Sequence, residues 1–513
     1  MQLAYAKEVY ELENEARKRI CFSHDSLMTL ASKQVANFII KHINARPSLI
    51  NLPLVFFAGK GNNGGDAIAS AMFIAEKYPQ KEIIIYSLTH PTLFNDEIGY
   101  FYSKLPENIK FFVINKADDI KNFPVQAVII DGLLGIGFTG ECRENLQSII
   151  NFINEQKLFT IAIDIPSGLN ADNGEGSTIV RADITLTIGV PKVGLYINNG
   201  IEYSGIIEFL PIGLDCSKIS DKQIATFTNE DCRRLFSRRA FDTYKKTSGN
   251  LLIIAGSRSY PGAALAALEG ALAVNCGMLY LAIKSRPFGV IPNEVIVINC
   301  DKGDNAETFN SSDLTQLLKI AEKVDTILIG PGLQVNDDLK IIMQKLLELD
   351  KKFILDADAI NLLAKYPEIL KHRKAKNIVL TPHIGEAKRL AEMLKLNNEK
   401  PQNRIDFAET IAKSLDAYLV LKGAKTLVVS SKKNEITNIC GTTSYALGKG
   451  GSGDVLSGVI AALTAKNDDF FAAITAGVFL HGSSINYIDS MSAFQISEIP
   501  AQIRKIIGEI SPF

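Results

Sequence analysis

The sequence predicts an α/β protein built from two consecutive domains, each a β-sheet covered by helices on both faces, three layers deep. Three observations predict it. The chain has 513 residues, more than one hydrophobic core ordinarily organises. Short continuous apolar runs alternate with amphipathic stretches, the pattern of parallel strands buried on both faces. That alternation ends near Leu214 and starts afresh at Leu251.

The first forty-odd residues carry mixed charge with apolar side chains three and four apart, which predicts helix. After Pro47, strands are expected at Leu54 to Phe57, Ile83 to Tyr86, Phe111 to Ile114, Ala127 to Ile130, Thr160 to Ile163 and Ile184 to Ile188. A polar stretch, Cys216 to Lys222, and a basic segment with Arg233, Arg234, Arg238 and Arg239 then mark a linker. The domains are therefore expected at residues 1–218 and 225–513. In the second, strands are expected at Leu251 to Ile254, Leu279 to Ile283, Thr326 to Ile329, Phe353 to Leu355, Ile378 to Leu380 and Tyr418 to Leu421.

Composition narrows the function. Hydrophobic residues make up 47% and charged residues 22%, a globular balance. A formal net charge of -1 offers no footprint for nucleic acid or an anionic membrane. The charged N-terminal stretch has no signal-peptide core, and no run approaches the roughly 18 apolar residues of a membrane helix. The seven cysteines, Cys21 among them, form no CxxC pair, and the six histidines are dispersed, which argues for a reducing compartment and against structural zinc. A cytoplasmic protein acting on small molecules is expected.

In the second domain, Gly448-Lys449-Gly450-Gly451-Ser452-Gly453-Asp454 precedes the helical run Val455 to Thr464. Such glycines let backbone N–H groups converge at a helix N-terminus, where aligned donors and the helix dipole bind an anion. Asp454 is placed to take a proton from a hydroxyl attacking phosphorus; by itself the motif reads equally as a turn with an N-cap. Other strand ends add Gly330-Pro331-Gly332, Asp356-Ala357-Asp358-Ala359, Thr381-Pro382-His383 and Leu421-Lys422-Gly423-Ala424-Lys425-Thr426. Tyr260-Pro261-Gly262-Ala263-Ala264 opens a helix after the first strand. Their convergence on one sheet edge is where open α/β sheets place ligands.

In the first domain, Gly59-Lys60-Gly61-Asn62-Asn63-Gly64-Gly65-Asp66 follows a strand and precedes the helical run Ala67 to Glu76. The glycines satisfy a dinucleotide-binding spacing, yet the next strand ends in Ser87-Leu88-Thr89 and lacks the ribose-binding acid. Asp131 opens a second glycine loop that includes Gly135 to Gly140, and Asp164-Ile165-Pro166-Ser167-Gly168 follows another strand. Oxygens of Asn63, Asp131 and Ser167 suit a hard cation; helix capping and loop satisfaction is the other reading.

These strings carry a resemblance. Residues from about 225 are similar to the ribokinase-like superfamily and, within it, to ADP/ATP-dependent NAD(P)H-hydrate dehydratases. Residues 1 to about 215 resemble the NAD(P)H-hydrate epimerases, a Rossmann-like domain, with Lys192-Val193-Gly194 matching in addition. The resemblance implies that Asp454 deprotonates the C6 hydroxyl of hydrated nicotinamide, with Ala263, Gly332 and His383 on the hydrate. It implies that Lys422, Gly423, Ala424, Lys425, Thr426 and Gly453 hold the nucleotide. His383 reads otherwise as a capping or core histidine. In the epimerase half the resemblance puts Asn62, Asn63, Gly64, Gly65, Asp66 and Gly135, Ile136, Gly137, Phe138, Thr139, Gly140, Glu141 on the hydrate. It puts Asp164 at the reacting carbon and K⁺ on Asn63, Asp131 and Ser167.

The implied activity is repair of hydrated NADH and NADPH: epimerisation of the R and S hydrates, then dehydration of the S epimer with ADP, or ATP, and Mg²⁺ alongside. A homo-oligomer is expected by the same resemblance. An ATP-dependent kinase of a small hydroxylated vitamin precursor, with an N-terminal ligand-binding domain, is the alternative. Four departures stand out: Tyr244-Lys245-Lys246-Thr247-Ser248-Gly249 replaces a His-Lys-Gly-x-x-Gly segment, Ala67 stands where glycine is common, Gly132 where alanine is common, and Ile136 where threonine is common.

Overall fold

The computed structural model describes the chain except residues 20–23, 217–218, 220–223, 237–248, 285–288, 302–305, 397–402, 433–434, 442–444, 488–493 and 512–513. Cys21, Arg238, Arg239, residues 244–248 and most of 216–222 lie outside the described residues. The chain divides into two compact units, Gln2–Ile224 and Ala225–Phe513, the latter with Met1.

The N-terminal unit begins with β1 (Gln2–Leu3), α1 (Ala6–Arg19) and α2 (His24–Asn44). Its strands are β2 (Leu54–Ala58), β3 (Ile83–Ser87), β4 (Lys110–Val113), β5 (Val128–Gly132), β6 (Thr160–Ile163), β7 (Ile184–Ile188) and β8 (Ile206–Leu210). Interleaved helices are α3 (Asn62–Lys77), α4 (Asp96–Ser103), α5 (Glu144–Gln156) and α6 (Gly200–Tyr203). The sheet runs β4-β3-β2-β5-β6-β7-β8, parallel throughout.

Alternation along each strand builds the layers. Leu54 and Phe56 enter one core with Val35 and Ile39 of α2 and Ile68 of α3. Val55 and Phe57 turn to the opposite core with Tyr86, Ile129 and Ile149, Ile150 and Ile153 of α5. Each fully buried large apolar side chain contributes about 1.5–3 kcal/mol. Strand order reverses between β2 and β5, so the loops leaving them diverge and open a crevice at their C-terminal ends.

The C-terminal unit follows β9 (Ile224–Ala225) with α7 (Asn229–Leu235), β10 (Asn250–Ile254), α8 (Pro261–Ala273), β11 (Met278–Ile283), β12 (Val295–Asn299), α9 (Leu314–Ala321) and β13 (Thr326–Ile329). It continues through α10 (Asp337–Leu347), β14 (Lys352–Leu355), α11 (Asp358–Lys365), β15 (Ile378–Leu380), α12 (Ile384–Met393), α13 (Arg404–Leu415) and β16 (Tyr418–Leu421). It ends with β17 (Leu427–Val429), β18 (Thr437–Ile439), α14 (Ser452–Lys466), α15 (Phe470–Ser483) and α16 (Ile499–Ile510).

The sheet order β12-β11-β10-β13-β14-β15-β16 is parallel, and β17 and β18 extend it antiparallel. Leu251 and Ile253 of β10 share a core with α8, α14, α15 and α16. Helices α9 to α13 pack in succession against one another, with α13 on β16 and β17. The helices thus form two separate groups. Helices α8 and α14 cross with their backbones nearly touching: a Cβ on Gly270 would lie 2.1 Å from the Val455 carbonyl oxygen, and one on Gly458 1.9 Å from that of Ala267. Only glycine fits either position.

Both sheets are α/β with helices on both faces, as the sequence predicts. Strands β1, β8, β9, β12 and β18 lie beyond the predicted runs. β8 and β12 are edge strands whose residues are largely half-buried or exposed, so the continuous apolar signal is weak there. Helix α3 starts at Asn62, so Asn62 to Asp66 form its first turn and not a loop before it. Gly64 permits this, because a Cβ there would sit 2.1 Å from the Gly59 carbonyl oxygen.

Two candidate sites at strand C-termini

A cavity of about 780 Å³ lies across the C-terminal edge of the N-terminal sheet. Asn62, Asn63, Asp66, Gly135, Ile136, Gly137, Phe138, Thr139, Glu141 and Asp164 all line it. Gly64, Gly65 and Gly140 are absent from the lining. Gly65 is packed instead, with Met28 Cε 2.6 Å from where its Cβ would be. Gly64 and Gly65 thus allow close backbone approach, where a side chain would clash.

Asp164 leaves β6 in a left-handed conformation, φ 65°, which costs a non-glycine residue of order 1–3 kcal/mol and persists where surroundings impose it. Here they do. The Asp164 N–H donates to Leu186 O at 2.8 Å, and Oδ1 accepts the Ile188 N–H at 3.0 Å. Oδ1 also takes the buried Lys192 ammonium, which donates to Ile188 O at 2.7 Å as well. Asp66 faces the same space. Desolvation and the Asp164 charge hold its carboxyl well above the usual range, against a Ser32 hydroxyl donating at 3.3 Å. The cavity therefore sets a desolvated carboxyl near an ion-paired aspartate.

Behind it, Asp131 is fully buried at the end of β5 and accepts from the Ser167 hydroxyl at 2.6 Å, the Ser167 N–H at 2.8 Å and the Leu133 N–H at 3.2 Å. Burial pushes its carboxyl up to about 6, with Ser167 pulling the other way. Asn63 Nδ2 donates to Leu134 O at 2.6 Å and Ile163 O at 3.0 Å, while its Oδ1 is buried with no hydrogen-bond partner. An orphaned amide oxygen beside a buried carboxylate and a hydroxyl suits a hard cation of low charge. Among the described residues no group of three or more His, Cys, Asp or Glu is placed to hold a metal ion.

Residues that sequence reasoning gave no role are Lys192 and, on α1, Tyr10, Glu13 and Arg17, all on the cavity wall. Lys192 carried a signal, its place in a strand-end string. The α1 residues did not, since a polar stripe on a helix reads as a solvated face.

In the C-terminal unit, Asp454 occupies the first turn of α14, whose N-cap Gly451 is left-handed at φ 90°. Desolvation and the Asp356 charge raise the Asp454 carboxyl to about 7, with Lys422 opposing. Lys422 Nζ donates to Asp356 Oδ1 at 2.7 Å and lies 3.2 Å from where a Gly453 side chain would begin. Burial lowers the proton affinity of that ammonium, but Asp356, Glu386 and Asp454 outweigh it and keep it charged. Buried His481, pushed down to about 4 by desolvation, holds the helix start through Ser452, with Nε2 3.0 Å from its carbonyl oxygen.

Gly332, at φ 63°, packs on the helix start after β10: its Cβ would lie 2.8 Å from that of Ala263. His383 does cap α12, its Nδ1 accepting the Gly385 N–H at 2.9 Å while Glu386 accepts the His383 N–H at 2.9 Å; its side chain stays 55% exposed, free to meet a ligand. In the 422–426 loop, Arg404 donates to Ala424 O at 2.6 Å and to Lys425 O at 3.3 Å, and the Thr426 hydroxyl donates to Gly423 O at 2.9 Å. Lys425 turns its side chain inward. It is buried, its ammonium donates to Gly441 O, and burial lowers it to about 8, so it supports the loop from inside and offers no surface charge to phosphate.

No helix among the described residues is long and apolar enough to cross a membrane. Residues 251–507 match the family model of NAD(P)H-hydrate dehydratase, and residues 24–194 that of the YjeF-related protein N-terminus. The chain is 30% identical over 492 residues to a bifunctional NAD(P)H-hydrate repair enzyme of Thermofilum pendens, covering 94% of this chain and 91% of that one. It is 30% identical over 442 residues to the Coxiella burnetii enzyme of the same description, covering 82% and 83%. Among solved structures, the ADP/ATP-dependent NAD(P)H-hydrate dehydratase of Bacillus subtilis, co-crystallised with ATP/Mg²⁺, is 26% identical, with a TM-score of 0.45 over 56% of this chain and 99% of that one. With both halves matched in order and nearly the whole length aligned, the chain belongs to the family of bifunctional NAD(P)H-hydrate repair enzymes.

Proposed function

We propose that the protein restores hydrated NADH and NADPH, the N-terminal unit interconverting the R and S hydrates and the C-terminal unit dehydrating the S epimer with ADP, releasing AMP and phosphate. The observation that carries this reading is Asp454: a desolvated carboxyl titrating at about 7 beside a lysine and an uncapped helix N-terminus. Hydroxide is a poor leaving group and phosphate a good one. Asp454 takes the proton of the C6 hydroxyl, the oxygen attacks the terminal phosphorus, and the bond from phosphorus to the bridging oxygen breaks to release AMP. Lys422 and the N–H groups of the α14 first turn face the charge on the transferred phosphoryl group. Loss of phosphate from C6 and of a proton from C5 then restores the reduced ring.

In the N-terminal cavity, the hydroxylated C6 adjoins the ring nitrogen, whose lone pair expels the oxygen once an acid protonates it. The planar carbon re-adds water from either face. Asp66, whose carboxyl burial and the Asp164 charge hold above its ordinary range, suits the donor and Asp164, oriented by Lys192, the acceptor. Asn63, Asp131 and Ser167 would hold K⁺, which would supply fixed positive charge there. Mg²⁺ would accompany the nucleotide. The direct test is nucleotide-dependent recovery of reduced-nicotinamide absorbance from purified S hydrate by wild type and Asp454→Asn. Recovery that the substitution abolishes is expected. Consumption of nucleotide on a simple alcohol, with none on the hydrate, would point to the kinase reading.

A further inference from the structure

Asp356 has no part in the chemistry above, yet it is a fully buried charge beside the Asp454 site. It stands directly after β14 and is wholly buried. Its Oδ1 accepts from Lys422 Nζ at 2.7 Å and from the Ala357 N–H at 2.9 Å, while Oδ2 is buried with no hydrogen-bond partner. A buried carboxylate in that state depends on a compensating cation. The Lys422 ammonium is that cation, and it lies against the α14 first turn at Gly453. Its ion-pair partner is Asp356 and not Asp454.

We propose that Asp356 is a positioning residue of the dehydratase site: its carboxylate draws the Lys422 ammonium to the α14 N-terminus and withholds it from Asp454. Asp454 then remains a base for the substrate hydroxyl while Lys422 meets the phosphoryl group. The proposal rests on reading this unit as a nucleotide-dependent dehydratase. Four elements bring charge to bear on Asp454: Asp356 after β14, Asp358 of α11, Glu386 of α12 and Lys422 after β16. His383 adjoins Glu386, and His481 of α15, lowered to about 4, is neutral near pH 7. Three carboxylates thus oppose one ammonium around the base.

The substitution Asp356→Asn keeps an oxygen acceptor for Lys422 and Ala357 and removes one negative charge. Two effects then act in the same direction. Repulsion on Asp454 falls, and the ammonium, no longer paired with a carboxylate, acts more strongly on it, so Asp454 loses its proton at lower pH. Titration of the Asp454 carboxyl by ¹³C NMR, with the signal assigned by its absence in Asp454→Asn, needs no substrate. The expected result is a midpoint about one pH unit lower in Asp356→Asn, matched by an equal acid shift in the lower limb of the pH profile of kcat/KM. Lys422→Gln should move the midpoint the opposite way. An unmoved midpoint in both variants overturns the proposal, as does lowered activity in Asp356→Asn with an unmoved limb. A wild type that titrates as expected but leaves the hydrate unchanged would contradict the functional reading and not the network.

Discussion

Asp164 gains its position from a strained backbone and its orientation from Lys192, an ion pair between residues 28 apart in sequence. Asp164→Asn should lower epimerisation by about 10²–10⁴-fold and leave dehydration of the S epimer intact, as chromatography of the two epimers would record. Asp454 makes a prediction about stability. Its folded carboxyl titrates near 7 instead of 3.8, so the fold favours the protonated form. Its contribution is therefore fully present below pH 3.8 and is lost as pH rises through 7. Asp454→Asn should then stabilise the protein by roughly 2–4 kcal/mol at pH 8, with the gain vanishing toward pH 4 in thermal melts. Asp164 and Asp454 were legible because each ends a strand or begins a helix in a recognisable string. The roles of Lys192, Asp356 and His481 were not, because each depends on a partner that only the folded chain supplies. The inward packing of the Lys425 side chain was hidden for the same reason, since sequence shows only a lysine in a loop.

Between elements, the contact of α3 with β5 explains two departures that looked independent. A Cβ on Gly132 would lie 2.7 Å from the Cβ of Ala67, so the interface has room for one methyl group, which this chain places on the helix and not on the strand. Gly132→Ala alone should cost about 1–3 kcal/mol, and adding Ala67→Gly should recover most of it, a coupling that urea unfolding of the single and double variants would measure. The same two elements bring Asn63 and Asp131 together, and there the cation prediction belongs. K⁺ favours ionised Asp131, so its stabilising effect should grow as pH rises through about 6. Asn63→Ala should remove both that stabilisation and any K⁺ dependence of epimerisation. The parallel strands were legible from their continuous apolar runs, whereas edge strands β8 and β12 were not, because half-exposed residues break the run. The true start of α3 was hidden because glycines ordinarily signal a loop, and here they allow a helix to begin against the β2 end.

Across the whole chain, two sheets with separate cores carry the two acids to which the proposed steps are assigned, and those steps are sequential and chemically independent. Hydration of the nicotinamide ring yields two epimers, and a chiral pocket accepts one, so the second activity makes the first complete. If the units act independently, Asp164→Asn and Asp454→Asn mixed together should recover the hydrate as fully as wild type, the R epimer converted by one protein and consumed by the other. The most direct test is recovery of reduced-nicotinamide absorbance from a mixed-epimer NADH hydrate supplied with ADP. Wild type should recover both epimers, Asp164→Asn should stop at the S share before spontaneous epimerisation intervenes, and Asp454→Asn should recover nothing. No nucleotide-dependent recovery by wild type would contradict the account, and full prompt recovery by Asp164→Asn would contradict its N-terminal half.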